Sequence, residues 1–281
     1  NCTTSAVYTI IQPALLTAIA VTTPIACNGG NEGAIDMTIS GGTSPYAYAW
    51  NNGETTEDLS SIIAGNYSVT ITDVNNCTFA TATTITQPNA LTTTVSTTPA
   101  SCNGGTDGSV DLTVNGGTSS YTFAWSNGET TEDLNNIAAG TYQVTVTDAN
   151  NCTSTIIANV NTPSGLVLNY TTTEINCNGD TNGAININPT GGTPAYTFAW
   201  SNGETTEDLN GLGANTYTIT LTDANNCSIT STITLTEPEI LSLSANISSD
   251  VLCNGSNEGQ IDLTVTGGTA GYNFDWSNGA T

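Results

Sequence analysis

The 281-residue chain contains no Lys, no Arg and no His, against 24 Asp plus Glu, so its formal charge at neutral pH is −24. That absence closes off whole classes of partner. Nucleic-acid binding depends on basic side chains neutralising phosphates, and none are present. An anionic membrane surface repels such a chain. Without Lys, Lys–Asn isopeptide staples cannot form. No apolar run approaches the roughly 18 residues of a membrane-spanning helix, and no signal peptide is visible. Charged residues make up only 9% of the chain, so solubility falls to Thr, Ser and Asn. High charge with few hydrophobic residues would mean disorder. Here 37% of residues are hydrophobic and they alternate regularly, which means folded β structure. Divalent cations, polysaccharide and abiotic surfaces remain as partners.

What is present is repetition. The stretch Tyr121 to Asn135 (YTFAWSNGETTEDLN) returns unchanged at Tyr196 to Asn210, returns with small changes at Tyr46, and starts again at Tyr272. Tryptophans stand at 50, 125, 200 and 276, in steps of 75, 75 and 76. The chain is therefore an array of one small unit. Its segments are the end of a unit over 1–13, full units over 14–88, 89–163 and 164–238, and the start of another over 239–281. Asn1-Cys2-Thr3 matches Asn76-Cys77-Thr78, so the expectation is a piece of a longer polypeptide whose targeting signals lie elsewhere.

The second unit serves for reading strands. Ala90 to Pro99 is Thr-rich and β-branched, a strand A. After the turn cluster Cys102 to Gly108, Val110, Leu112 and Val114 alternate with polar residues as strand B. Tyr121, Phe123 and Trp125 share one face of strand C. A short strand is expected over Thr130 to Leu134. An Ala139-Gly140 corner follows, with a backbone role for Gly140 that Asn215 takes in the third unit. Then come strand F, with Tyr142, Val144 and Val146 inward, and strand G from Cys152. No segment has helical periodicity with caps. The fold class is all-β: a tandem array of immunoglobulin-like β-sandwich repeats of about 75 residues, each expected to hold seven strands. The core is expected to hold Trp50, Trp125, Trp200 and Trp276, with Tyr67, Tyr142 and Tyr217.

Cysteines at 2, 27, 77, 102, 152, 177, 227 and 253 alternate in steps of about 25 and 50. With neither a CxxC motif nor His, zinc is not their purpose; paired spacing implies disulfides and an oxidising setting. Three pairings are open: within a unit (Cys27 with Cys77), across a linker (Cys77 with Cys102), or one unit ahead (Cys27 with Cys152). In a sandwich the A–B and F–G loops lie at opposite ends, roughly 26 Å apart for eight strand residues, whereas a disulfide needs Cα atoms about 5.5–6 Å apart. The A–B end of one unit abuts the F–G end of the next. The favoured pairs are therefore Cys27–Cys152 and Cys102–Cys227, with the within-unit scheme as the alternative. Such bonds would stiffen a string of domains into a rod.

The run Cys102-Asn-Gly-Gly-Thr-Asp-Gly108, then Gly116-Gly117-Thr118, Tyr121-x-x-x-Trp125-Ser-Asn-Gly128, Ala139-Gly140-Thr141-Tyr142 and Thr147-Asp148-x-x-x-Cys152 resembles the SprB repeat of Bacteroidetes gliding adhesins. Departures are modest: Asn215 replaces the corner Gly, and Gly179-Asp180 replaces a Gly-Gly pair. The resemblance implies an extracellular, cell-surface filament, exported by the type IX route and used for adhesion or gliding, with neighbouring repeats or further copies as partners.

Other candidate sites have plainer readings. The aromatic stripe (Tyr46, Tyr48, Trp50 and equivalents) could stack on sugars, but one-sided aromatics on a central strand read as core. A carbohydrate-binding array, or a passive stalk for a separate tip, is the alternative function. The acidic loop holds Glu54, Glu57 and Asp58, repeated as Glu129, Glu132, Asp133 and as Glu204, Glu207, Asp208. Paired carboxylates can hydrolyse glycosides, but an acid pair copied into every unit with no His or Lys beside it does not read as catalytic. A solvated acidic face is the favoured reading of those carboxylates, with Ca²⁺ ligation as the alternative, and no cofactor is required. The turn Asn28 to Gly33 with Asp36 faintly resembles a calcium loop, yet Glu32 and Asp36 become Asn182 and Asn186 in the third unit. Asp73, Asp148 and Asp223 are expected to shape the F–G turn. Outward Thr ladders (Ser68, Thr70, Thr72; Thr145, Thr147; Thr218, Thr220, Thr222) suit exposed strand faces.

Overall fold

The computed structural model describes residues 2–280; Asn1 and Thr281, the ends of the first and last expected segments, lie outside the described residues. In the first repeat the strands are β1 (Thr17–Thr23), β2 (Gly33–Ser40), β3 (Ala47–Trp50), β4 (Leu59–Ile62), β5 (Gly65–Thr72) and β6 (Thr78–Ile85). The second repeat has β7 (Thr92–Thr98), β8 (Gly108–Asn115), β9 (Thr122–Trp125), β10 (Leu134–Ile137), β11 (Gly140–Thr147) and β12 (Thr153–Val160). The third has β13 (Val167–Thr173), β14 (Gly183–Thr190), β15 (Thr197–Trp200), β16 (Leu209–Leu212), β17 (Asn215–Thr222) and β18 (Ser228–Leu235). The last segment supplies β19 (Ser242–Ser249) and β20 (Gln260–Thr266). Among the described residues there is no helix.

Every complete repeat forms two three-stranded antiparallel sheets. In the first they are β1-β2-β4 and β3-β5-β6, and the other two repeat that order. This is an immunoglobulin-like sandwich with strands A, B and E facing C, F and G. It has six strands where seven were expected. Alternation builds it: in β5, Tyr67, Val69 and Ile71 are buried while Ser68 and Thr70 face out. Ile35, Met37 and Leu59 come from the opposite sheet to complete the core around Trp50. The third repeat builds the same core from Ile185, Ile187, Leu209, Ile219 and Leu235 around Trp200. Each such side chain taken wholly from water stabilises the sandwich by roughly 1.5–3 kcal/mol.

Two compact units are distinguished. The first runs to Thr98 and resumes over Ser109–Asn136 and Gly140–Val160; it holds the first repeat and nearly all of the second. The second comprises Pro99–Gly108, Ile137–Ala139 and the chain from Asn161 onward, with the third repeat and the partial fourth.

Several expectations are corrected. The short strand expected over Thr130 to Leu134 is β10, Leu134–Ile137. The residues before it are bound elsewhere: the Thr131 carbonyl accepts the Trp125 indole N–H at 2.9 Å, and the Thr131 hydroxyl donates to the Asp133 carbonyl at 2.7 Å. Gly140 and Asn215 do not have positive φ. Just before that corner, the residues with positive φ are Ser61, Asn136 and Gly211, inside β4, β10 and β16, and in the first and third repeats a bulge interrupts that strand's pairing with strand B. Tyr142 is only half-buried. Trp276 is also half-buried.

Candidate functional site

The loop after β5, and its copies after β11 and β17, is organised by one aspartate. Asp148 is buried, at 4% exposure. Its Oδ1 accepts the N–H of Asn150 and of Cys152, both at 2.9 Å, and its Oδ2 accepts the N–H of Thr118 at 2.8 Å. Asp223 repeats the pattern on Asn225, Cys227 and Thr193, and Asp73 on Asn75, Cys77 and Thr43. Three donors aimed at one carboxylate favour its charged form. Burial raises the pKa of Asp148, but the Thr118, Cys152 and Asn150 N–H groups outweigh it and hold the carboxyl below its ordinary range. In Asp73 the Cys77 N–H is the leading cause of the same lowering, and in Asp223 the Thr193 N–H. Gly117 makes room: its φ is +62°, and a Cβ there would lie 2.8 Å from Asp148 Oδ2. The aspartate thus ties the F–G loop to the B–C loop and fixes where the following Cys points.

The opposing surface is the turn after strand A. The Cys27 carbonyl accepts the Gly30 N–H at 3.0 Å, with Gly29 at φ +81°, the residue a tight turn of this kind requires. The Gln87 side chain receives the Gly29 N–H at 2.8 Å, and Glu32 receives that of Ala26 at 2.7 Å. The Ala26 bond leads the causes that keep Glu32 low after its own backbone N–H.

Within the first unit these surfaces meet. Cys27 is bonded to Cys152, with Cα atoms 5.6 Å apart, and Asn150 Nδ2 donates to the Ala26 carbonyl at 3.0 Å and to Thr118 Oγ1 at 3.1 Å. Within the second unit Cys102 is bonded to Cys227, again at 5.6 Å, and Asn225 Nδ2 donates to the Ser101 carbonyl at 2.9 Å and to Thr193 Oγ1 at 3.1 Å. Each bond therefore links the A–B turn of one repeat to the F–G loop of its successor. Cys2, Cys77, Cys177 and Cys253 are free and exposed. The asparagine contacts were not read from the sequence. Their signal was there: an Asn two residues before each late Cys, at 75, 150 and 225.

The other candidate residues do not gather into a site. Asp58 accepts the Met37 N–H at 2.8 Å; Asp133 and Asp208 do the same for Leu112 and Ile187, both at 2.9 Å. These carboxylates pin the acidic loop to strand B. Glu57 lies beside Tyr48, whose hydroxyl is pushed up to about 12 by burial first and by that carboxylate second. Glu54, Glu129, Glu132, Glu204 and Glu207 stay exposed. Among the described residues no group of three or more Asp, Glu, Cys or His converges as metal ligands do. Trp50, Trp125 and Trp200 are each 5% exposed, so no indole face is open for sugar stacking there. Among the described residues no helix is long and apolar enough to cross a membrane.

No curated protein sequence matches the chain. Among solved structures it aligns with Sidekick-1 immunoglobulin domains 1-5 at 9% identity, over 81% of this chain and 60% of that one, with a TM-score of 0.36. It therefore spans about three-fifths of that structure's chain. It aligns with Drosophila OTK extracellular domains 3-5 at 10% identity, over 78% and 91%, with a TM-score of 0.23. With the N-terminal eight Ig domains of DSCAM isoform 1.30.30 the identity is 8%, over 84% and 49%, and the TM-score 0.30. Superpositions this loose carry nothing about function, and the sandwich rests on strand pairing alone. The SprB repeat model matches residues 19–55, 94–130, 169–205 and 245–281. Each match begins in strand A and runs past the strand C tryptophan, and together they cover more than half of the sequence: the chain belongs to the SprB-repeat family.

Proposed function

We propose that the chain is a structural and adhesive segment of an extracellular, cell-surface filament, in which the repeats act as load-bearing spacers and as many weak contacts with a surface. One observation carries this reading: Cys27–Cys152 and Cys102–Cys227 each join a repeat to its successor rather than closing a repeat on itself. A disulfide inside one sandwich would stabilise that sandwich alone. A disulfide across a junction resists hinging between neighbours, which is useful to a protein that must stand away from a cell and bear tension. The setting must be oxidising for such bonds to persist. The family supports a surface adhesin, and gliding over abiotic or polysaccharide surfaces is the use this reading assigns it, with multivalency supplying the grip. No cofactor is needed, and no catalysis is assigned.

The test is bead adhesion under flow. Beads carrying the oxidised chain should stay on glass or polysaccharide films at shear that removes bare beads, and reduction of the disulfides should lower that retention. Oxidised chains that hold no better than bare beads on any film would refute the adhesive part; equal retention after reduction would refute the role of the staples.

A further inference from the structure

Each stapled joint carries a cleft. In the first unit it has a volume of about 380 Å³, and three segments line it: Cys27 and Asn28 of the A–B turn, Leu91 just before β7, and Asn151, Cys152 and Thr153 of the next repeat's F–G loop. In the second unit a cleft of about 460 Å³ lies at the other joint. Moving 75 positions along the chain from each residue lining the first gives a residue lining the second. Both volumes fall within the span of small-ligand sites. Neither cleft belongs to one repeat alone, and the walls are tied to each other. Asn28 Nδ2 donates to the Pro88 carbonyl at 3.0 Å and the Gly29 N–H to the Gln87 side chain at 2.8 Å, which fixes the A–B turn to the segment leading out of its own repeat. In the second joint the Thr162 hydroxyl does this by donating to the Cys102 carbonyl at 2.9 Å. Asn150 and Asn225, with the two disulfides, hold the F–G loop against the same turn. Walls fixed in advance lower the ordering cost of binding.

The chemistry of the linings narrows the ligand. The chain has 24 carboxylates, yet neither lining contains one. Asp148 and Asp223, which build the same loops, direct their oxygens at backbone N–H groups. A metal cation therefore finds no ligand set there, and an anion meets a chain of charge −24 with no basic side chain. What the clefts offer is amide. The Asn151, Asn226 and Asn103 side chains have no hydrogen-bond partner among the described residues, and Asn28 uses only its Nδ2. Each such side chain brings donors and an acceptor together. Beside them Leu91 and Leu166 are half-buried and supply a small apolar patch. Uncharged amides around a little apolar surface match a ligand with hydroxyls at its rim and C–H groups on its faces. A peptide would bring charged or aromatic anchors, and neither lining has a charge or a ring to receive them.

We propose that each joint cleft holds a short segment of a neutral, hydroxyl-rich polysaccharide, so that the grip of the filament lies at its joints and not on its sandwich faces. The proposal rests on the adhesive reading above and names where that contact is made. With no aromatic ring in either lining to stack on a sugar, each contact is weak, and avidity comes from their number. The disulfide is then part of the site as well as a staple: Cys27 and Cys152 are both wall residues, as are Cys102 and Cys227. Reduction lets the two sides of the cleft separate and removes the site without unfolding either sandwich.

The test is a nuclear magnetic resonance titration of the isotope-labelled, oxidised chain with cellohexaose, xylohexaose and mannohexaose. An alginate hexasaccharide serves as the anionic control and a Gly-Ser-Ala hexapeptide as the peptide control. At least one neutral sugar should shift the amides of Asn28, Asn151 and Thr153 and of their counterparts Asn103, Asn226 and Ser228, and neither control should. Asn151→Gly keeps the left-handed backbone at φ +65° and removes only the side-chain amide. It should weaken binding at the first cleft roughly fivefold, the worth of one hydrogen bond, and leave the second unchanged; Asn226→Gly should do the reverse. Reduction should abolish both sets of shifts while circular dichroism verifies that the strands are kept. Silence with all three neutral sugars, shifts confined to outward strand residues such as Thr218 and Thr220, or a response to either control as strong as to the sugars would each overturn the proposal. Silent clefts on a chain whose beads still hold under flow would leave the adhesive reading standing; occupied clefts on a chain whose beads wash off would support the site and sink that reading.

Discussion

The staples dictate how far the chain can be stretched after its sandwiches have been torn open. Cys27 and Cys227 lie 200 positions apart, whereas Cys102 and Cys152 lie only 50 apart. With both bonds in place, tension passes from Cys27 through sulfur to Cys152, back along the backbone to Cys102, and through sulfur to Cys227. That path contains 50 residues, so at up to ~3.6 Å per residue this stretch reaches at most ~180 Å. Full reduction frees the whole 200-residue stretch, for ~720 Å. The informative variant removes one pair, Cys102→Ser/Cys227→Ser. The remaining Cys27–Cys152 bond leaves the 75 residues from 152 to 227 to extend, a limit of ~270 Å. If the bonds closed each repeat on itself, the same variant would leave only Cys27–Cys77 in the stretch and release 150 residues, ~540 Å. Single-molecule pulling with handles just outside residues 27 and 227 resolves these lengths. A single-pair variant extending to the longer value would refute the pairing and the mechanical role built on it. The chain-entropy model adds a thermodynamic counterpart: closing a loop of 125 residues stabilises the folded array by about 5 kcal/mol per bond, to be read from denaturant curves of the same variants.

Three further outcomes are expected. Trp125→Phe keeps the aromatic bulk but loses the indole bond to the Thr131 carbonyl, and should cost roughly 1–2 kcal/mol by denaturant midpoint; an unchanged midpoint would mean that bond is dispensable. Gly117→Ala adds a Cβ 2.8 Å from Asp148 Oδ2 in left-handed backbone, whereas Gly128→Ala, at φ +90°, meets nothing within 4 Å. The first should destabilise by ~2 kcal/mol or more and the second by ~1 kcal/mol; equal losses would show that the aspartate cradle does not matter. The third concerns pH. Asp73, Asp148 and Asp223 have folded pKa values below the ordinary carboxylate value. Their contribution is therefore complete above the unfolded pKa of about 3.9 and is lost as pH falls through the folded values. Hydrogen exchange at the Cys152 and Cys227 amides should accelerate beyond its intrinsic trend in that acid window, and Asp148→Asn should remove the effect at Cys152; protection that persists unchanged would count against the loop's dependence on charge.

Much of the molecule is legible in one dimension because its information is periodic. Tyr67, Val69 and Ile71 alternate with polar residues, so the inward face of that strand follows from the pleat alone, and tryptophans about 75 positions apart define the repeat. Composition by itself removes phosphate-binding partners, since the chain has no cation to offer them. Other features depend on which distant backbone groups come within 3 Å, and no local pattern encodes that. The strand expected at Thr130 moved to Leu134 because an indole N–H and a threonine hydroxyl capture the intervening backbone. The left-handed residue before the corner sits at Ser61, Asn136 and Gly211 rather than at the corner glycine, and in the first and third repeats it falls where that strand is bulged. Asp58 and its copies, open to a cation in the sequence, are held by strand B amides that lie 21 positions away. The spacing of the cysteines allowed three pairings. Folding leaves the two ends of each sandwich far apart and brings the end of one repeat against its successor, and that proximity selects among them.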